Sequence, residues 1–160
     1  NDTTRANLRN MIYWKDVPYG NGGSVVAIAR DKSGKEVARH RIETAGKAVA
    51  LRIEAETPTD WKADGMDLQY INVTVIDKKG RPVWDYNEPL TLQMEGAARL
   101  VALDNGDHYT DELFHGITSK RMYQGRMQII LRSDQEAGNV TVKISSAGLK
   151  GTLRLKTIKE

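Results

Sequence analysis

Apolar and polar residues alternate along this 160-residue chain in short runs. Val73 and Val75 in one run, and Leu90, Leu92 and Met94 in another, recur at every second position. That period sends one side chain inward and the next outward from a β-strand. The same reading predicts strands at Met11–Val17, Ser24–Arg30, Glu36–Ile42, Val49–Glu56, Leu68–Asp77, Leu90–Glu95, Arg99–Asp104, Met127–Ser133, Val140–Ser145 and Thr152–Thr157. Turn chemistry separates them: "DKSGK" at 31–35, "DKKGRP" at 77–82, "DNGD" at 104–107 and "EAGN" at 136–139. Residues 111–126 have no clean period and read as loop with one short strand. Short strands at this spacing, with no convincing helix, predict an all-β antiparallel sandwich.

A boundary is expected at residues 44–48, where "TAGKA" is small and flexible. Three strands precede it, too few for a stable sheet with one apolar face. Residues 1–47 therefore read as the C-terminal part of a truncated β-domain, and residues 48–160 as a complete sandwich.

Charge sharpens that division. Residues 1–47 hold nine basic against five acidic side chains, residues 48–115 six against thirteen, and residues 116–160 nine against three. Lys143, Lys150, Arg154 and Lys156 fall at outward strand positions, where a solvated sheet face explains them better than a nucleic-acid interface does. The chain has no cysteine, so disulfides and thiolate chemistry are excluded. No run approaches the ~20 apolar residues that span a bilayer, and "NDTTRANLRN" lacks the apolar core of a signal peptide.

Candidate chemistry is sparse. There is no Gly-x-Ser-x-Gly elbow, and "YGNGGS" at 19–24 runs into a strand instead of opening a helix, so it reads as a turn and not a phosphate cradle. His40 lies on a strand, while His108 and His115 are too sparse for a zinc site. "DNGDHYTDE" gathers Asp104, Asp107, Asp111 and Glu112, the oxygen type that calcium takes, but the spacing departs from an EF-hand loop and Asn-Gly reads first as a turn. No metal or other cofactor is assigned. Glycoside hydrolysis would need two carboxylates across a cleft, and no such pair is legible.

Aromatic residues are the remaining candidates for a contact surface. Trp61, Trp84, Tyr86 and Tyr109 lie in turn-rich segments. Trp61 and the Trp84/Tyr86 pair flank opposite ends of the Leu68–Asp77 strand, about 30 Å apart at ~3.3 Å per residue, so they cannot form one sugar platform. Carbohydrate or interdomain contact is open to each group. Pro82 and Pro89 constrain the Trp84/Tyr86 connection, which favours a cap or a domain contact there.

Read in order, "WKDVPYGNGGSVVAIARDKSGKEVARHRIETAGKAVALRIEAE" at 14–56 and "ADGMDLQYINVTVIDKKGRPV" at 63–83 resemble the C-terminal region of bacterial glycoside hydrolase family 2 enzymes, the β-galactosidase group. "LVALDNGD", "MYQGRMQIILRS" and "GNVTVKISSAGL" keep that family's order. The resemblance implies an immunoglobulin-like sandwich at 48–160 preceded by a cut immunoglobulin-like domain at 1–47. It implies an accessory role, because in such enzymes two glutamates of an upstream barrel perform catalysis and nothing here resembles that barrel. The implied partners are the barrel and other β-sandwich domains of a periplasmic or extracellular parent. Pairing of two chains through the exposed N-terminal strands is a further expectation. His108 departs from the family, where proline is common. The 63–83 segment also resembles repeats of bacterial surface adhesins, which leaves a free-standing adhesin-like or carbohydrate-binding module as the alternative; residues 1–47 favour the enzyme.

Overall fold

A computed structural model describes residues 15–17 and 22–159. The chain divides into two compact units, Asn1–Thr44 and Ala45–Glu160. Most of the strand expected at Met11–Val17 lies outside the described residues, and Lys15–Val17 are irregular.

In the first unit β1 (Ser24–Arg30) pairs antiparallel with β2 (Glu36–Glu43). The carboxylate of Asp31 closes their turn by accepting the backbone N–H groups of Ser33 at 2.8 Å and Lys35 at 3.1 Å. Register places Val25, Ala27, Ala29, Ala38 and Ile42 on one face together with His40. All six are exposed.

The second unit is an antiparallel sandwich of two four-stranded sheets. One has the order β3 (Ala48–Ala55), β4 (Leu68–Asp77), β8 (Arg126–Ser133), β6 (Ala98–Asp104). The other has the order β10 (Leu149–Lys156), β9 (Asn139–Ser146), β5 (Pro89–Gly96), β7 (Ser119–Arg121). Inward positions of both sheets form the core: Ile71, Val73 and Val75 of β4, Leu90 and Leu92 of β5, Ile129 and Leu131 of β8, Val140 and Val142 of β9. Gly96 sits where the chain leaves one sheet for the other, at φ 110°, and a Cβ there would collide with the Asn139 carbonyl oxygen. Only glycine allows that corner.

Among the described strands one end differs from the sequence reading by more than one residue. β10 starts at Leu149, three residues before the expected Thr152, because Ala147 (φ 42°) and Gly148 (φ 86°) make a two-residue turn between β9 and β10. Both residues lie at positive φ, as this tight hairpin class requires. The one short strand expected within 111–126 is present as β7, paired with the edge of β5.

Candidate functional site

The four candidate aromatics separate into two structural residues and two surface residues. Trp61 is 0% exposed, and its indole N–H donates to the Asp67 carbonyl at 3.1 Å. It offers no ring face to a sugar or a neighbouring domain and is withdrawn as a contact residue. Tyr86 packs against the core, and its hydroxyl lies 2.8 Å from the Ser146 hydroxyl, so its polar end is also engaged inside the sandwich. Tyr109 is 97% exposed.

Trp84 is 49% exposed and occupied on one face. The guanidinium of Arg126 lies over its ring, 4.3 Å from the centroid. Gly125 makes this approach possible: its N–H donates to the Tyr86 carbonyl at 2.7 Å, and a Cβ at this position would run into the Val83 carbonyl oxygen. Residues 83–86 and the start of β8 are thereby held together. The ring therefore supports a cation.

The acidic loop does not assemble an ion site. Asp104 spends one carboxylate oxygen on the Gly106 N–H at 2.8 Å and Asp107 one on the Tyr109 N–H at 3.0 Å, while Asp111 is exposed. Among the described residues no group of three or more His, Asp or Glu side chains is placed to hold a metal. Asp104, Asp107 and Asp111 are withdrawn as ligands because Asp104 and Asp107 shape turns and the three do not converge. What holds this loop is Lys120 of β7, which the sequence reading missed. Its ammonium is buried, donates to the Glu112 and Leu113 carbonyls at 3.1 Å each, and lies 4.1 Å from the centroid of the Phe114 ring.

The motifs that carry the family resemblance meet at two carboxylates, one buried and one exposed. Asp77, 3% exposed, accepts the N–H of Gly46 at 2.8 Å, the N–H groups of Lys79 and Arg81 at 2.8 and 2.9 Å, and the Arg81 Nε–H at 2.8 Å. It thus joins "TAG" to "DKKGRP". The Gly46 N–H, then the Arg81 guanidinium, hold its carboxyl well below the usual carboxylate range. At the other end of β4, Asp64 accepts the N–H groups of Met66 and Asp67 at 2.7 Å each, which lowers its pKa as well. Both ends of β4 are clamped by ionised side chains that serve structure.

A groove of about 390 Å³ opens on the outer face of the β3-β4-β8-β6 sheet, lined by Asn72, Thr74, Asp104, Arg126 and Gln128. Gln128 donates its side-chain N–H to the Asn72 amide oxygen at 3.1 Å, and Asn72 donates to the Glu56 carboxylate at 3.1 Å. The outer face of the other sheet is different: it carries Lys143, Lys150, Arg154 and Lys156, all exposed.

Fold and site together define an immunoglobulin-like sandwich whose buried polar residues secure turns. Residues 51–153 match the model of the glycoside hydrolase family 2 C-terminal domain 5, and the chain belongs to that family. It is 32% identical over 128 residues to the β-galactosidase BoGH2A of Bacteroides ovatus, a match covering 80% of this chain and 15% of that protein. Identity to a β-galactosidase of Thermoanaerobacter pseudethanolicus is 30% over 132 residues, 80% of this chain and 17% of the relative. A crystal structure of a glycosyl hydrolase family 2 member from Bacteroides cellulosilyticus superposes with a TM-score of 0.80 at 28% identity, covering 89% of this chain and 18% of that one. The chain thus spans about a sixth of the length of the curated relatives it matches, and its place in them is that of a C-terminal accessory domain.

Proposed function

We propose that this chain serves a bacterial family 2 glycoside hydrolase of β-galactosidase type as a non-catalytic domain that packs on and orients the catalytic barrel. The observation that carries the reading is the match of residues 51–153 to a C-terminal domain of that family, in a chain covering 15–17% of β-galactosidase relatives. The described side chains add support: the buried Asp77 and the exposed Asp64 carboxylates are committed to backbone N–H groups, an arrangement that keeps them ionised and suits neither to donate a proton. Tyr109, on the loop anchored by Lys120, is the residue we assign to contact with a neighbouring domain. The β1-β2 hairpin, with its exposed apolar face, belongs to a second immunoglobulin-like domain of the parent. We read the parent as a periplasmic or extracellular enzyme, a reading supported by the bacterial family 2 relatives.

Hydrolysis of aryl β-galactosides and aryl β-glucuronides by the purified chain tests the reading. Turnover is expected to stay at background. Turnover that survives repurification and disappears on substitution of one carboxylate of this chain would overturn it.

A further inference from the structure

We propose that the outer face of the β3-β4-β8-β6 sheet binds a neutral carbohydrate chain in the groove formed by Asn72, Thr74, Asp104, Arg126 and Gln128. This goes beyond the accessory role, since it concerns a ligand of the domain itself and holds whatever the parent enzyme hydrolyses.

Register assembles the groove from three strands. Asn72, Gln128 and Asp104 stand opposite one another on one rung, and Thr74 faces Arg126 on the next. These positions alternate with Val73, Met127 and Leu103, which are buried, so all five side chains point away from the core. Their length and order set them apart from the lysines on the opposite sheet. The amides are tied into a relay from Gln128 through Asn72 to Glu56. That relay leaves the Gln128 carbonyl oxygen as an acceptor and a second N–H on each amide as a donor. Asp104 uses one oxygen on Gly106 and keeps the other.

Arg126 is the decisive member. Among the described residues no carboxylate pairs with it, and its guanidinium lies over the Trp84 ring. A guanidinium held over an indole has part of its rotational freedom already removed and loses less entropy when its N–H donors bind. Nothing inside the domain uses those donors.

The charge balance selects the ligand class. On the neighbouring β3 Arg52 and Glu54 neutralise each other at 3.2 Å, so Asp104 in the groove and Glu56 behind Asn72 outweigh the remaining positive charge, that of Arg126, and an anion is disfavoured. Vicinal hydroxyls of a neutral sugar donate to the carboxylate and amide oxygens and accept from the guanidinium and amide N–H groups. A volume of about 390 Å³ falls within the range of small-molecule sites, and a groove open at the surface admits an internal segment of a chain.

The test is a chemical-shift titration of the isotope-labelled 160-residue chain with xylotetraose, cellotetraose and β-1,4-galactotetraose, using tetragalacturonate as the acidic comparison. At least one neutral tetrasaccharide is expected to shift, saturably, amides of residues 72–74, 104–106 and 126–128 and the Trp84 indole N–H, with a Kd of about 1 mM. Gln128→Ala should weaken binding about tenfold at an unchanged urea midpoint, and Arg126→Ala about tenfold with a small fall in midpoint from its lost contact with the Trp84 ring. Should Arg126→Ala fail to fold, Gln128→Ala alone decides. No saturable shift with any neutral ligand at about 20 mM, saturation by tetragalacturonate only, or undiminished affinity in folded variants would each overturn the proposal.

Discussion

Trp61 and Trp84 are the same residue in turns at opposite ends of β4, and their surroundings give them opposite roles. Trp61 fills the core and has its N–H satisfied by the Asp67 carbonyl. Removing it leaves a large cavity, so Trp61→Ala is expected to cost about 3–5 kcal/mol. Trp84 has half its surface in water and carries Arg126 on its ring. The loss from Trp84→Ala is a partial burial plus an exposed cation–π contact, about 1 kcal/mol. Urea unfolding of the two variants checks the order, which equal losses would contradict. Sequence alone placed both indoles in turns and could not rank them, because burial depends on which strands fold over each turn.

At the scale of elements, periodicity was enough where a strand had one buried and one wet face. β4, β5, β8 and β9 are legible for that reason: their alternating positions are the core. β7 could be foreseen only as one short strand, since three residues show no period, and its buried Lys120 runs against the expectation that lysine faces solvent. The start of β10 was hidden because its turn is Ala147-Gly148 and not Asn-Gly. The outer-face groove was equally hidden: Asn72, Gln128 and Asp104 come from three strands and become neighbours only through register. Asp77 lay within a quoted turn motif, but its bond to Gly46 joins two elements distant in sequence. That bond makes a prediction about pH. The folded state holds the Asp77 carboxyl below its unfolded value, so the unfolded chain binds the proton more readily. The stabilisation is present at neutral pH and is lost as pH falls below about 4, the unfolded carboxyl value. Asp77→Asn should therefore be less stable than the parent chain at pH 7, with the gap narrowing on acidification. Urea midpoints at pH 7 and at pH 3 measure it, and a gap independent of pH would contradict the assignment.

At the scale of the whole molecule, a two-sheet accessory sandwich follows a hairpin that we propose belongs to a neighbouring domain. The sandwich has two sheets around a closed core, whereas the described part of the first unit is a two-stranded hairpin whose apolar residues Val25, Val37 and Ile42 are more than half exposed. A hairpin of that kind is marginal in water by itself. The net charges of the three chain segments alternate in sign, and that alternation, legible in the sequence, bears on solubility and partners more than on fold. Native-state hydrogen exchange on the intact chain at low concentration tests the central claim most directly. Amides of β1 and β2 should exchange at or near the rate of open chain, while those of β4, β5, β8 and β9 exchange only through global unfolding. Protection of Ser24–Glu43 equal to that of the sandwich strands, in a sample shown to be monomeric, would contradict it.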